Sequence, residues 1–144
     1  MDTLTSEKRS WNMSRIRGEN TKPELAVRSI LHRMGYRFRI SDKALPGKPD
    51  IVLPKYRAVI FVHGCFWHRH PGCKYTYTPK SRLDFWSQKF EENVTRDKNT
   101  ISLLKNAGWL PIIVWECEIK RNADVLLGRV SEILQQRLKK WEAF

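Results

Sequence analysis

Three short apolar runs, rich in β-branched residues, limit the folds that are open to this chain. They are DIVL at residues 50–53, AVIFV at residues 58–62 and LPIIVWEC at residues 110–117. Runs of this length without polar alternation are typical of central strands buried on both faces of a sheet. Before and between them the apolar residues recur at helical spacing, so the chain is predicted to be an α/β protein with helices flanking a central sheet.

The predicted order of elements is α, β, β, β, α, β, α. In TKPE, Thr21 is predicted as the N-cap of the first helix and Glu24 as its capping-box partner. Gly35 is suited to ending this helix, whose apolar stripe is Val27, Ile30, Leu31 and Met34. In YRFRI, residues 36–40, strict alternation predicts a strand with Tyr36, Phe38 and Ile40 on its buried face.

Two further helices are predicted from apolar spacing. One covers residues 81–107 and ends before Gly108; one of its faces carries Phe90, Val94, Asp97, Ile101 and Leu104. The other is a closing amphipathic helix over residues 123–141, with a stripe of Leu126, Val130, Ile133, Leu134 and Leu138.

Composition points to one domain with a polyanionic partner. With 144 residues the chain is predicted to form a single domain over residues 1–144, in which residues 1–20 are a basic arm. A net charge of +12 makes a polyanion, above all nucleic acid, the expected partner. No apolar run approaches the about 18 residues of a membrane helix and the N-terminus has no signal-peptide core, so we expect a cytoplasmic protein without a membrane partner.

The cysteines predict a metal site. The chain has three, and Cys65 and Cys73 flank His70 within nine residues, while Cys117 ends the last predicted strand. Three thiolates and one imidazole suit a closed, structural zinc site. The alternative is three ordinary buried cysteines and an unrelated histidine.

Asp50, His63 and His68 are candidates for catalysis. Asp50 begins one predicted strand and His63 follows the next, so neighbouring strands bring them together. A carboxylate beside a backbone carbonyl can hold Mg²⁺, and a neutral imidazole can accept a proton from water near pH 7. Each acid also has a structural alternative: Asp50 as a turn residue, Glu24 as a capping residue and Asp97 as an exposed helix acid.

Four segments resemble one family closely. They are NMSRIRGENTKPE, LPGKPDIVLPKYRAVIFVHGCFWHRH, FWSQKFEENVTRD and GWLPIIVWEC. Over nearly its full length the chain resembles the very short patch repair (Vsr) DNA mismatch endonucleases, a branch of the restriction-endonuclease-like nucleases. The resemblance implies a restriction-endonuclease-like core with a central mixed sheet. It also implies Mg²⁺-dependent nicking 5′ to the thymine of T:G mismatches, which arise when 5-methylcytosine deaminates.

The resemblance assigns roles to the candidate residues. It makes Asp50 the principal Mg²⁺ ligand together with the backbone carbonyl of Val62, and His68 the general base, oriented by Asp97. His63 and Glu24 complete the catalytic set, Glu24 through metal-bound water. The structural zinc ligands implied by the family are Cys65, His70, Cys73 and Cys117.

The resemblance also implies DNA-contacting residues. Phe66, Trp67 and Trp86 insert beside the mismatch from the major groove, while Met13 and Ile16 enter from the minor groove. Lys89 and Asn93 lie one and two helical turns beyond Trp86, so they are candidates for contact with the mismatched bases, with a solvated helix face as the equal alternative. The alternative for the aromatic residues is plain hydrophobic core.

Three departures from the family pattern stand out. Val62 occupies a position that is often threonine, the His70–Cys73 spacing is one residue longer, and Arg69 replaces a histidine and adds a cation expected to reach a phosphate. Two other functions therefore stay open: a related nicking nuclease with relaxed recognition of other lesions or foreign DNA, and a zinc-stabilised DNA-binding module without catalysis. A monomer is the simplest expectation, and mismatch-repair proteins are partners through the family alone.

Overall fold

The computed structural model describes residues 21–40 and 42–142, and the predicted order of elements is confirmed there. A short helix after the third strand, and a single turn of 3-10 helix at Pro54–Tyr56, are additions. The predicted DNA contacts Met13 and Ile16 lie outside the described residues. The elements are α1 (Lys22–Arg33), β1 (Arg39–Ile40), β2 (Ile51–Leu53), β3 (Ala58–His63), α2 (Cys65–His68), α3 (Leu83–Asn106), β4 (Leu110–Trp115) and α4 (Glu116–Glu142).

The four strands form one mixed sheet, as predicted, and their order in the sheet is β1-β2-β3-β4. Strands β1, β2 and β3 are antiparallel neighbours, whereas β3 and β4 run parallel. The start of β2 and the ends of β3 and β4 therefore lie at the same edge of the sheet. Asp50, His63 and Trp115 stand at that edge.

Helices cover both faces of the sheet because the strand residues alternate between two cores. Strand residues such as Ile51 and Ile60 pack with α1 and α4, while Val52, Val59 and Phe61 pack with Leu104 of α3. No helix in the described part of the chain is long and apolar enough to cross a membrane.

Helix α1 begins as predicted. The Thr21 hydroxyl accepts a hydrogen bond from the amide of Glu24 at 3.4 Å, and Val27 and Leu31 are fully buried. Met34 was predicted in the buried stripe, but it is 44% exposed. It lies at the C-cap, beyond the last helical turn, and Gly35 follows it with φ +94°.

The strand predicted over residues 36–40 is shorter than expected. Only Arg39 and Ile40 pair with β2, and Ile40 is 46% exposed because β1 is a two-residue edge strand. Tyr36 is buried as predicted, but it packs on α4 rather than pairing, with its hydroxyl 2.6 Å from the Ser131 hydroxyl.

The closing helix begins after Asn122, as predicted, and a shorter helical segment from Glu116 precedes it. Helix α4 extends from Glu116, with a break at Asn122, whose backbone is non-helical at φ −164° and ψ 93°. Leu126, Val130 and Leu134 are buried as predicted. Ile133 is 42% exposed, so its place in the stripe was wrong: adjacent helix positions point about 100° apart, and Leu134 takes the inward one.

Leu127 tests the packing of α4 against the sheet. Its side chain is fully buried, so Leu127→Ala is expected to lower the free energy of unfolding by about 2–5 kcal/mol. Val125→Ala is the matched control, since Val125 is 59% exposed on the same helix and its truncation should change stability by about 0.5 kcal/mol or less. Equal losses for the two variants in urea denaturation would contradict this packing.

Candidate active site and metal cluster

A cleft of about 290 Å³ lies at the edge where β2 begins and β3 ends. It collects every residue that sequence reasoning placed in the catalytic set. The lining side chains include Glu24, Lys48, Asp50, Val62, His63, His68, Arg96 and Asp97.

Asp50 is held at the end of the strand ladder. Its carboxylate accepts a hydrogen bond from the amide of Val62 at 2.7 Å. Burial raises the pKa of Asp50 to about 6, the Val62 hydrogen bond opposes that rise, and the nearby charge of Glu24 adds to it. The carboxyl is therefore ionised at pH 7 but poorly solvated, which favours binding of a cation.

Glu24 reaches the same cleft from α1. Its side chain is buried, with 4% of the residue exposed, and it is paired with Arg28 one turn later at 3.2 Å. Glu24 thus takes part in both the helix cap and the cleft. Its backbone amide donates a hydrogen bond to the Thr21 hydroxyl, while its carboxylate lies close enough to Asp50 to affect the pKa of that group.

His68 and Asp97 form a second polar pair in the cleft. The Nδ1 of His68 lies 2.7 Å from the Oδ2 of Asp97, which comes from the middle of α3. Since a carboxylate can only accept, the imidazole proton lies on Nδ1 and the lone pair on Nε2. His68 therefore has the orientation of a proton acceptor.

His63 lies behind this pair. Its ring stacks on that of His68 with centroids 3.7 Å apart and planes 6° from parallel. Burial lowers the pKa of His63 to about 3, with a smaller contribution from His68, so the ring is neutral at pH 7. Its Nδ1 is buried without a hydrogen-bond partner among the described residues.

The predicted metal ligands come together on the other side of these histidines. One ligand atom from each of Cys65, His70, Cys73 and Cys117 lies within 4.8 Å of the others. The Nδ1 of His70 is 3.7 Å from the Cys65 sulfur and 3.4 Å from the Cys117 sulfur. This cluster can therefore hold a metal ion.

The surroundings of the metal cluster support that capacity. Burial raises the pKa of Cys65 to about 12, so its thiolate needs a nearby cation. The hydroxyl of Thr76 donates to the carbonyls of Cys65 and His70, at 3.2 and 2.8 Å, and thereby holds the ligand loop closed.

Sequence reasoning missed Trp115, which joins the two sites. Its ring stacks on His70 at 4.1 Å and meets the edge of His63 at 5.3 Å. The contact depends on strand pairing, because Trp115 lies opposite His63 in the β3–β4 register. The only sequence signal for it was its place two residues before Cys117.

The predicted aromatic residues form one cluster over α3. Phe66 makes edge contacts with Trp67, Trp86 and Phe90 at 5.2 to 5.6 Å between centroids. Phe66 and Trp67 are half-buried, whereas Trp86 is only 7% exposed. Both alternatives are therefore represented: Trp86 is packed as core, and the Phe66–Trp67 pair stays partly open to solvent.

Arg69 was expected to reach a phosphate, but in the structure it contacts groups of the protein. Its guanidinium donates to the carbonyls of Tyr77 and Phe66 at 2.9 and 3.4 Å, and to the Thr78 hydroxyl at 3.1 Å. It also lies 3.8 Å from the centroid of the Phe90 ring. Arg69 thus ties the end of α2 to the following loop and to the aromatic cluster.

Lys89 and Asn93 lie in different environments on α3. Lys89 is exposed, which fits a solvated helix face. Asn93 is buried, so that alternative is wrong for it, and its amide donates to the carbonyl of Trp67 at 3.2 Å. Asn93 therefore holds α2 against α3 through this hydrogen bond.

Comparison with known proteins shows which family the sequence is similar to. A family model described as DNA mismatch endonuclease Vsr matches residues 1–74. The chain is 50% identical over 133 residues to the type II nicking enzyme V.XorIIP of Xanthomonas oryzae pv. oryzae, covering 92% of this chain and 96% of that one. It is 42% identical over 133 residues to the DNA mismatch endonuclease Vsr of Escherichia coli K12, covering 92% of this chain and 82% of that one.

A third relative is the type II nicking enzyme V.NmeAIP of Neisseria meningitidis, 47% identical over 135 residues, with 94% of this chain and 95% of the relative covered. Fold, cleft and relatives together define a DNA-cutting nuclease. The chain belongs to the Vsr family of DNA mismatch endonucleases. The family resemblance seen in the sequence motifs is thereby confirmed.

Arg69 provides a test of the aromatic cluster. Arg69→Met removes its hydrogen bonds to three acceptors and is expected to lower the free energy of unfolding by about 1–3 kcal/mol, measured by urea denaturation. Arg69→Lys should not restore the loss, since one ammonium group cannot reproduce the planar fork. The matched control is Lys80→Met in the same exposed loop, and full stability of Arg69→Lys would contradict the bracing role.

Proposed function

We propose that this protein is a Mg²⁺-dependent, strand-specific endonuclease that nicks DNA 5′ to the thymine of T:G mismatches. The observation that carries the proposal is the meeting of the buried Glu24 carboxylate and the half-buried Asp50 carboxylate with the His68–Asp97 pair in one cleft. Family membership adds DNA as the substrate class. We also propose that residues 1–144 form one domain with a restriction-endonuclease-like core, of which residues 1–20 are the DNA-contacting arm.

The cleft fits a hard divalent cation. The Asp50 carboxylate and the Val62 carbonyl are the proposed direct ligands, with Glu24 and His63 acting around them. Mg²⁺ is typically held by one or two carboxylates and keeps several waters, so a small set of protein oxygens of this kind suits it. When bound, the ion polarises the phosphodiester and lowers the pKa of water.

His68 is the proposed general base. Its Nε2 lone pair takes the proton of the attacking water, while Asp97 fixes the ring through Nδ1 and stabilises the imidazolium that forms. His63 stacks on His68 and restricts its tilt. The two histidines thereby have separate tasks: one moves a proton, and the other holds position.

The aromatic residues are the proposed mismatch reader. The half-buried Phe66 and Trp67 enter the stack from the major groove and Trp86 supports them, while Met13 and Ile16 of the arm enter from the minor groove. Opening a base step costs a few kcal/mol and costs least at a mismatch, so insertion favours T:G sites. Lys89 is the proposed contact to the mismatched bases, with Asn93 joining it if DNA displaces its bond to Trp67.

Zinc is the proposed ion of the Cys65–His70–Cys73–Cys117 cluster. Tetrahedral ligation, with bonds of about 2.3 Å to sulfur and about 2.0 Å to nitrogen, would separate a nitrogen from a sulfur ligand by about 3.5 Å. The two nitrogen–sulfur distances of 3.7 and 3.4 Å lie on either side of that value. All four ligands come from the protein, which suits a structural site.

A second candidate is a nicking nuclease with relaxed recognition. Two of the similar proteins are named type II nicking enzymes, without mention of a mismatch. The third alternative, a DNA-binding module without catalysis, loses its support because the family consists of nucleases. A monomeric, cytoplasmic and nucleoid-associated enzyme, working beside mismatch-repair proteins, completes the proposal.

The first experiment is a nicking assay. End-labelled duplexes carrying one T:G pair, or matched T:A and C:G pairs in the same flanking sequence, are incubated with the protein and Mg²⁺. We expect a nick on the thymine strand of the T:G duplex alone. Equal nicking of the matched duplexes would favour the relaxed nuclease over the mismatch enzyme.

Asp50→Asn tests the metal-binding assignment. Losing the carboxylate charge is expected to slow nicking by about a thousandfold or more, while affinity for the T:G duplex is retained. Asp124→Asn, an exposed acid of α4, is the control and should nick normally. Undiminished nicking by Asp50→Asn would overturn the assignment of the cleft.

The metal cluster is tested by elemental analysis and thermal unfolding. We expect one zinc per chain, and we expect Cys73→Ser to lose zinc and to unfold at a lower temperature, since metal binding contributes folding free energy. His32→Ala is the control, because His32 lies in the last turn of α1, away from the cluster. Zinc well below one per chain, with chelator leaving Tm unchanged, would refute the zinc assignment.

A further inference from the structure

The cleft concentrates negative charge at the place where the proposed function requires a phosphodiester. Three carboxylates, Glu24, Asp50 and Asp97, line it, and the DNA backbone is also an anion. One divalent ion offsets only part of this repulsion. Two cationic side chains complete the described lining, Lys48 and Arg96, and neither has a role in the catalytic set.

Lys48 is held in an unusual backbone conformation. It has φ +47°, in the left-handed region that L-residues rarely adopt, and it directly precedes Pro49, which further restricts it. Pro49 is fully buried, and the Lys48 amide closes a turn on the Leu45 carbonyl at 3.2 Å. Backbone of this kind costs free energy and persists where surrounding packing imposes it, often at functional sites.

The packing that imposes this conformation is the contact of the loop with α3. Gly47 has φ +75°, and a Cβ built at this position would lie 2.3 Å from the Cγ2 of Thr100. Only glycine allows the loop to approach the helix so closely. Thr100 is one turn after Arg96 on α3, so the close contact brings Lys48 to the wall of the cleft that also carries Arg96.

We propose that Lys48 and Arg96 form a seat for the phosphate that is cut, with both cations contacting its non-bridging oxygens. The proposal rests on the nuclease function proposed above and adds two catalytic residues to it. Arginine can hold two phosphate oxygens with its planar fork, and lysine acts as a mobile point charge. Cations fixed beside the phosphorus stabilise the negative charge that grows on these oxygens during attack by water.

The position of His68 agrees with this seat. Asp97, which fixes the His68 ring, is the residue after Arg96 on α3. The proposed base and one proposed phosphate contact are therefore aligned by the same helical turn. Water held at Nε2 and a phosphate held by Arg96 and Lys48 share the 290 Å³ cleft.

A double-mutant cycle between each cationic side chain and the phosphate that is cut tests the proposal. The nick is mapped first, and a duplex is then made with a neutral methylphosphonate at the phosphate that is cut. Affinities for this duplex and for the unmodified one are measured without added Mg²⁺, for the unmodified protein and for Lys48→Met and Arg96→Met. Each single change, Lys48→Met, Arg96→Met or the methylphosphonate, should by itself raise the Kd for the duplex about tenfold.

The decisive result is whether the losses of affinity caused by the protein substitution and by the DNA modification add up. If Lys48 and Arg96 contact this phosphate, the methylphosphonate should weaken binding by either variant much less than it weakens binding by the unmodified protein. Lys43→Met is the matched control: Lys43 is an exposed lysine in the same connection but outside the cleft lining, so this variant should show the full methylphosphonate effect.

Fully additive losses would overturn the proposal, since they mean that the cations contact other phosphates or only balance the carboxylates. Normal binding by Lys48→Met and Arg96→Met would overturn it as well. Failure of the proposed function gives a different result. If the protein nicks matched and mismatched duplexes alike, the mismatch specificity is refuted. The binding measurements can still be made at the phosphate that the protein cuts.

Discussion

The parallel pairing of β3 with β4 is the constraint on which both sites depend. It sets His63 opposite Trp115, and two residues further on it brings Cys65 near Cys117. A slip of one residue would turn Trp115 to the other face of the sheet and separate the two cysteines. The histidines of the cleft and the thiols of the metal cluster are therefore positioned by the same set of backbone hydrogen bonds.

One line of contacts then connects the two sites. Asp97 holds His68, His68 stacks on His63, His63 meets the edge of Trp115, and Trp115 stacks on His70. None of these side chains can tilt far without displacing the next. A metal ion at the cysteine cluster would thus restrict the orientation of the proposed base although it takes no part in the reaction.

Whether a feature of the fold or of the site could be predicted depends on how far apart in the sequence its residues lie. The Thr21 cap, the three buried strand runs and the ligand spacing from Cys65 to Cys73 are local, and sequence reasoning identified them. The Trp115 stack and the cleft wall made by Lys48 and Arg96 join segments about 50 residues apart, so they depend on strand register and helix packing. Met34 and Ile133 were misplaced because periodicity alone does not say where a helix ends or which neighbour faces inward.

Helix α2 links recognition to chemistry under the proposed function. Phe66 and Trp67 directly precede His68 in a single helical turn, and Asn93 fixes that turn through the Trp67 carbonyl. Because the backbone is continuous, the depth to which Trp67 enters the base stack and the position of His68 over the phosphate cannot be set independently. A site that resists insertion would hold α2 away from the DNA and leave the base out of reach. Selectivity then arises in the approach to the transition state as well as in binding.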